Sequence, residues 1–307
     1  MIRDAVLLLG GSGFIGTALS TALAKQGRRV HVISRTPLVH VRSNVVHHRG
    51  SIDDLALLEK LQPCCDTVVH LASTSTPGSS ARHPAQELHN LSPTLRVLET
   101  VREWPGTHLV YLSSGGTVYG NPSHNPVAED APLAPRSYHG AGKVALEGFL
   151  QAYRSPAHPV TILRPSNAYG PGQGLRHGFG LVRTVLEHAL HGTTVEVWGD
   201  GKTVRDYIFI DDVVGAIIAA IDARTDNHTY NVGSGIGHSV TSLIATIRAV
   251  TAVPLPVCYR PARGIDVQEV VLDTSRVRAA FGWQADVGLE AGIARTWQHL
   301  QGKAGLA

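Results

Sequence analysis

The segment Gly10-Gly11-Ser12-Gly13-Phe14-Ile15-Gly16 joins the apolar run Ala5-Val6-Leu7-Leu8-Leu9 to an apolar-periodic stretch over residues 14–26. Five apolar residues without a polar interruption predict a strand buried on both faces, the kind found inside a parallel sheet. The stretch after the turn predicts a helix, closed by Gly27 as its C-cap. The three spaced glycines have separate physical tasks. The first permits a tight turn, the second lets the backbone approach an anionic group, and the third lets helix and strand pack closely. The helix N-terminus adds free N–H groups and a favourable dipole. Strand, spacing and helix together predict a pyrophosphate seat at Gly10, Gly13, Phe14, Ile15 and Gly16, on the first half of a Rossmann fold.

The alternation continues along the chain. Residues 29–34 predict a second strand, Leu55–Leu61 a helix, 67–71 a third strand, 85–103 a long helix and 108–113 a fourth strand. Residues 159–163 and Val204–Phe209 read as further strands. Strands separated by helices imply an α/β, doubly wound parallel sheet. From Pro165 onward glycine, proline and polar turns become denser, and no repeat or low-complexity linker divides the chain. We therefore expect interleaved lobes: residues 1–165 plus about 204–233 as the dinucleotide-binding domain, and about 166–203 plus 234–307 as a smaller α/β substrate lobe.

A formal net charge of +3, with Lys and Arg scattered through the sequence, points away from nucleic acid and membrane surfaces and towards small anionic ligands. Cys64, Cys65 and Cys258 cannot build a disulfide framework, which fits a reduced, cytoplasmic protein. Residues Ala5–Leu9 run into a glycine turn instead of a cleavage site, and no stretch reaches the roughly 18 apolar residues of a membrane span. No metal site is expected, because the adjacent pair His47-His48 lacks helical i, i+4 spacing and a nearby carboxylate, and reads as surface histidine.

About 20 residues beyond the glycine turn, dinucleotide sites that take NAD place a carboxylate at the end of the second strand. This chain has Ser34-Arg35 there. A hydroxyl and a guanidinium suit a 2′-phosphate and lean towards NADP; alternatively Arg35 is a solvated strand-end residue stacking on adenine.

Several further motifs occur in order: His70-Leu71-Ala72, residues 113–120 (Ser-Ser-Gly-Gly-Thr-Val-Tyr-Gly), residues 164–172 (Arg-Pro-Ser-Asn-Ala-Tyr-Gly-Pro-Gly), Val204-Arg205-Asp206-Tyr207-Ile208, Tyr230-Asn231-Val232-Gly233 and Arg263-Gly264-Ile265-Asp266. With the glycine turn they make the chain resemble, over nearly its whole length, the extended short-chain dehydrogenase/reductases, specifically the NAD-dependent sugar-nucleotide epimerase/dehydratase group of 4-epimerase type. The resemblance implies NAD as cofactor. It adds Leu71, Ala72, Lys143 and Pro165 to the cofactor site, and places Asn167 against a nucleotide sugar whose diphosphate Arg205 and Arg263 hold. Two guanidiniums suit two phosphates; alternatively Arg205 pairs with Asp206 or Asp211. Trp198 would lie beneath the uracil ring or pack in the core.

The family's chemistry uses a tyrosine four residues before a lysine, beside a serine or threonine. Here residues 137–143 read Ser-Tyr-His-Gly-Ala-Gly-Lys, so an ungapped match puts His139, and not Tyr138, at the tyrosine position. At about 100° per residue, residues four apart lie about 40° apart around a helix, so His139 shares a face with Lys143 and Tyr138 points elsewhere unless the loop is distorted. The hydroxyl position falls on Gly115, leaving Thr117, and after it Ser114, as candidates; both could instead cap the turn. Beside Lys143 a neutral imidazole is favoured, and it can accept a proton without reproducing a phenolate's charge. His139 is thus a working variant, a mark of lost activity, or a deliberate replacement of the base.

The expected activity is 4-epimerisation of a nucleotide sugar, such as a UDP-hexose, through a transient 4-keto intermediate, as in supply of cell-surface polysaccharide. The alternatives are an NADPH-dependent 4-keto-sugar reductase and a catalytically silent nucleotide-sugar or dinucleotide binder. A dehydratase is disfavoured because residues 114–119 lack an Asp-Glu pair. The resemblance also implies a homodimer, formed through the helix at residues 85–103 and the helix bearing Lys143.

Overall fold

In the computed structural model, which describes residues 4–38, 42–176, 178–224, 228–262, 267–303 and 305, the apolar run becomes strand β1 (Ala5–Leu9), every residue of it buried. Alternate side chains divide between two cores. Val6 and Leu8 pack with Leu19 and Leu23 of helix α1 (Phe14–Lys25), whereas Ala5, Leu7 and Leu9 belong to the core on the opposite face. Such a strand needs helices on both sides, and the chain supplies them.

After α1 come β2 (Val30–Ser34), β3 (Val45–Arg49), α2 (Leu55–Leu61), β4 (Cys65–His70), a short helix α3 (Pro77–Ser80) and a 3-10 turn at Pro84–Glu87. Helix α4 (Leu88–Arg102) leads to β5 (His108–Leu112), the short α5 (Gly115–Val118), α6 (Tyr138–Tyr153), β6 (Val160–Pro165) and β7 (Asn167–Tyr169). Then follow α7 (Leu181–His191), β8 (Val195–Trp198), β9 (Val204–Phe209), α8 (Ile210–Ala223) and β10 (Thr229–Val232). The chain continues with β11 (Gly237–Ser239), α9 (Val240–Thr251), β12 (Val257–Arg260), β13 (Glu269–Val270), α10 (Ser275–Phe281) and α11 (Leu289–Lys303).

The large sheet has seven strands in the order β10-β6-β5-β4-β1-β2-β3, and every neighbouring pair is parallel. Helices α2, α4 and α6 cover one face through Leu58, Leu61, Val97, Leu98, Leu146 and Leu150. Helix α8 joins α1 on the other, with Ala216 and Ile217 buried. From β1 the chain first moves outward to β2 and β3, then returns to the other side of β1 for β4. This reversal opens a crevice beyond the C-terminal ends of β1 and β4, where ligands of such sheets bind.

The second lobe is built around β9, which pairs antiparallel with β11 and parallel with β13 and β7. Strands β8 and β12 form a separate parallel pair, and α7, α9 and α11 pack together. The chain returns to the large sheet through α8 and β10, and β9 stays with the smaller one.

Two local readings differ from the sequence expectation. Strand β3 was not anticipated. It is the sheet's edge strand, short and half-exposed, so its composition carries little periodic signal. Its presence turns His47 and His48 from surface residues into partly buried ones on alternate faces. His48 Nε2 meets His31 Nδ1 at 3.0 Å and His47 Nε2 meets Ser34 Oγ at 2.8 Å. The long helix expected over 85–103 also begins with a 3-10 turn, which buries Glu87. Among the described residues, no helix is long and apolar enough to cross a membrane and no group of His, Cys, Asp or Glu is arranged to hold a metal ion.

Candidate active site at the sheet's C-terminal edge

The glycine turn leaves β1 with Gly10 at φ +84°, a left-handed conformation that suits glycine. A Cβ there would stand 2.7 Å from Ala72 Cα, so the turn and the chain after β4 close on each other. Gly16 likewise has no room, since its Cβ would meet the Gly11 backbone. Gly13 is different. It is exposed, and its Cβ would meet only Gly10 O at 3.5 Å, an ordinary contact. No protein atom requires Gly13 to lack a side chain, whereas an anion resting on the turn would. Gly13 is also the N-cap of α1, and no side chain caps that helix end. Its first N–H groups, on Phe14, Ile15 and Gly16, are thus left for a ligand. These residues fit a dinucleotide pyrophosphate. Leu71 and Ala72 lie beside the turn, with Leu71 N donating to Leu9 O at 2.9 Å.

At the end of β2, Ser34 is buried and its hydroxyl turns inward, donating to Thr36 O at 2.8 Å and meeting His47 Nε2. Arg35 alone is exposed. The hydroxyl and guanidinium expected to act together are therefore separated.

Helix α6 starts at an N-cap, Ser137, whose side chain accepts from Gly140 N at 3.1 Å. His139, Lys143, Glu147 and Leu150 form its buried face, while Tyr138 is 47% exposed, so the histidine and not the tyrosine shares the lysine's side. Lys143 Nζ donates to Leu112 O at 2.8 Å and lies 4.9 Å from the centre of the Tyr111 ring. Burial holds its ammonium down at about 8, against opposing pulls from Glu147 and Glu87. Burial, and next the Lys143 charge, holds the His139 imidazole down at about 4, with Glu87 pulling the other way. The ring is therefore neutral near pH 7.

Thr117 and Ser114 flank α5, whose backbone packs on α6: a Cβ on Gly140 would stand 2.6 Å from Thr117 O. Ser114 is the N-cap of α5 but makes no side-chain cap, and Thr117 Oγ1 has only a long bond, 3.4 Å, to Ser114 O. Both hydroxyls are thus weakly engaged. Asn167 stands across from α5, its amide 3.5 Å from where a Gly116 Cβ would lie, and donates through Nδ2 to Asp206 O at 2.9 Å.

Three residues that sequence reasoning missed complete this group. His139 Nδ1 lies 2.9 Å from Ser75 Oγ, which donates to Glu87 Oε2 at 3.0 Å. Asn90 Nδ2 reaches both, at 2.8 Å to Ser75 and 3.1 Å to Glu87. Only the one-turn spacing of Glu87 and Asn90 hinted at a shared face; nothing in the sequence ties them to Ser75 or His139.

The remaining substrate candidates are less gathered. Arg205 Nη1 donates to the carbonyls of Val204, at 2.8 Å, and Gln268. Asp206 takes its bonds elsewhere, from Ser166, Ser234, Gly235 and Leu272, and Asp211 lies 3.7 Å from Arg295. Trp198, at the end of β8, is 40% exposed, which removes the core-packing alternative. Arg263 lies outside the described residues. Pro165 ends β6 beside β10. Behind it a buried network fixes the sheet edge. Arg164 donates to Glu147 (2.6 Å for Nη2 to Oε2) and to Tyr119 Oη at 2.7 Å, Ser113 also donates to Glu147, and Tyr119 donates to Asn231 Oδ1 at 2.7 Å.

Known proteins resemble the chain over nearly its whole length. The profile of the NAD dependent epimerase/dehydratase family matches residues 6–233. The chain is 33% identical to a UDP-glucose 4-epimerase of Mycolicibacterium smegmatis, over 97% of this chain and 99% of that protein. A crystal structure of UDP-glucose 4-epimerase with UDP-glucose from Thermotoga maritima superposes with a TM-score of 0.91 at 30% identity, covering 98% of this chain and 99% of that one. The UDP-glucose 4-epimerase of Thermus thermophilus in complex with NAD gives a TM-score of 0.88 at 30% identity, with 97% and 99% covered. On the strength of these matches the chain belongs to the NAD dependent epimerase/dehydratase family.

Proposed function

We propose that this chain is a UDP-sugar 4-epimerase whose base is His139. The observation that carries the reading is the buried face of α6, where a neutral imidazole stands one turn from Lys143 and beside α5. A neutral imidazole can take the proton of a sugar hydroxyl, and Lys143 keeps the surroundings positive as that proton leaves. Thr117, or Ser114, supplies a hydroxyl to the same oxygen. Asn167 orients the sugar, Arg205 and Arg263 hold the diphosphate, and Trp198 offers an exposed aromatic face to the base. A dinucleotide held on the glycine turn at Gly10, Gly13 and Gly16 would supply the hydride acceptor and donor that the sugar carbon needs.

The dinucleotide is NAD in this reading. The inward-turned Ser34 hydroxyl leaves Arg35 without its partner for a 2′-phosphate, and the Thermus thermophilus relative is complexed with NAD. The large sheet, with residues 1–165 and part of 204–233, serves the dinucleotide, and residues 166–203 and 234–307 serve the nucleotide sugar. Two copies pair through α4 and α6.

One observation favours a second reading, an NADPH-dependent 4-keto-sugar reductase: Arg35 is exposed where a carboxylate would exclude NADP. Cofactor released from the purified protein separates the two, since an epimerase retains its dinucleotide and a reductase exchanges it. The functional test is UDP-galactose to UDP-glucose turnover by the unaltered chain and by His139→Tyr. Turnover with retained NAD is expected. Reduction of a 4-keto sugar nucleotide at the expense of NADPH, or binding of nucleotide sugars without turnover by either version, overturns the proposal.

A further inference from the structure

We propose that Ser75 and Glu87 are positioning residues that hold His139 as its Nδ1–H tautomer, so that Nε2 is the nitrogen carrying the basic lone pair. The backbone amide of Thr74 fixes which way the Asn90 side chain is turned. Thr74 N lies 2.7 Å from Asn90 Oδ1, and since the amide can only donate, that oxygen is the acceptor end of the Asn90 side chain. Asn90 Nδ2 is then a donor, and it reaches Ser75 Oγ and Glu87 Oε2. A carboxylate only accepts, so the one hydroxyl hydrogen of Ser75 goes to Glu87 Oε2, 3.0 Å away. With that hydrogen committed and one lone pair facing Asn90, Ser75 Oγ has one lone pair left for His139 Nδ1 at 2.9 Å. The ring nitrogen must bring the hydrogen. Among the described residues no other hydrogen bond reaches this ring, so Nε2 is left with its lone pair.

A second feature shows that the carboxylate has a place made for it. A Cβ on Gly142 would stand 2.7 Å from Glu87 Oε2, so the helix is open at the point where Glu87 approaches. The other oxygen, Oε1, is buried without a hydrogen-bond partner. A buried carboxylate oxygen left unpaired is costly, and among the described residues it belongs to the only acidic side chain that the hydrogen bonds leading from His139 reach.

An imidazole at this position needs such a device and a phenol does not. A phenolate offers its oxygen whatever its surroundings, whereas only one neutral imidazole tautomer presents a lone pair at a given nitrogen, chosen by the partner of the other. When Nε2 takes a proton, the substrate O–H bond breaks and an N–H bond forms. The ring becomes an imidazolium whose Nδ1–H still rests on Ser75, and Ser75 keeps its own hydrogen on Glu87. A negative charge near the ring, which a phenolate would carry itself, is then held on Glu87 one hydroxyl away and favours the imidazolium.

The source of the proton rests on the epimerase reading, but the tautomer does not. The deciding experiment is therefore an imidazole 15N–1H correlation spectrum of the labelled full chain at neutral pH, with His139→Gln identifying the signal. We expect His139 protonated at Nδ1, loss of that preference in Ser75→Ala, and its return in Ser75→Thr. An Nε2–H ring in the unaltered chain, or a tautomer indifferent to Ser75→Ala, overturns the inference. In parallel, Ser75→Ala should lower kcat for UDP-galactose roughly tenfold or more with KM unchanged, and Ser75→Thr should recover it. Unchanged kcat in Ser75→Ala overturns the positioning role. An unaltered chain that turns over no nucleotide sugar sinks the epimerase reading, while the spectrum still decides the tautomer.

Discussion

Gly142 and Glu87 share a space that only one of them can fill: a Cβ on the helix would stand 2.7 Å from the carboxylate oxygen that accepts from Ser75. A methyl there would push a side-chain end aside, and so costs little in folding energy. It would, however, break the bonds from Ser75 and Asn90. Replacing glycine inside a helix also stabilises by about 0.5–1 kcal/mol, which offsets part of the loss. Gly142→Ala should therefore lower the melting temperature only modestly while lowering kcat. Calorimetry and steady-state kinetics on the same preparation check this, and a variant with full activity would show that the carboxylate's place is immaterial.

The glycines of the turn should separate stability from binding. Gly10→Ala meets both a left-handed φ and the Ala72 backbone, and should destabilise the chain by about 1–3 kcal/mol or more before any ligand is added. Gly13→Ala meets nothing but an ordinary contact at 3.5 Å. It should fold like the unaltered chain and bind NAD at least tenfold more weakly, about 1.4 kcal/mol. Denaturant unfolding and dinucleotide titration of the two variants give the comparison.

Arg164 and Glu147 are 3% and 1% exposed, with Ser113 and Tyr119 completing the network. Removing one partner strands the other's charge in the core, so Glu147→Ala or Arg164→Ala should cost about 3–5 kcal/mol. Equilibrium unfolding measures it. A loss below about 1 kcal/mol would mean that water reaches the pair.

Acid should weaken the fold through its buried histidines. Burial is the largest cause in each case, holding His70 at about 3 and His108 and His139 at about 4, against an ordinary value of 6.5. Above 6.5 these rings are neutral in both states. Below it the unfolded chain binds protons that the folded chain refuses, so stability falls as the pH drops from about 6.5 towards 3. Once the fall is complete His108 and His139 each contribute on the order of 3 kcal/mol, and His70, held lower, on the order of 5 kcal/mol. Urea unfolding at about pH 7.5 and about pH 5 should show the lower stability at the lower pH. Loss of that difference in a His70→Gln, His108→Gln double variant would locate most of it outside the active site.

What the sequence disclosed follows from how local each signal is. The run Ala5–Leu9 and the glycine turn lie within a dozen residues, and burial on both faces leaves an uninterrupted apolar string that needs no tertiary information. The placing of His139 and not Tyr138 beside Lys143 is equally local, because helix geometry fixes it. The edge strand β3 escaped because Val45-Val46-His47-His48-Arg49 is half-exposed and hardly apolar. That single omission spread to the adenine end of the site. The Ser34 hydroxyl donates inward to Thr36 O and its oxygen meets His47 of β3, so a strand not foreseen undid the pairing of Ser34 with Arg35. Ser75, Glu87 and His139 meet across as many as 64 residues of sequence, and only the packing of α6 against the 3-10 turn brings them together.

Strand β9 ends at Phe209 and α8 begins at Ile210, with no residue between them. The central strand of the smaller sheet is thus spliced directly to a helix that packs on α1, so no loop intervenes between the two at that crossing. At this crossing an inserted residue would shift the strand's register against the helix, whereas the loops at the rim can change in length while the spliced frame stays as it is.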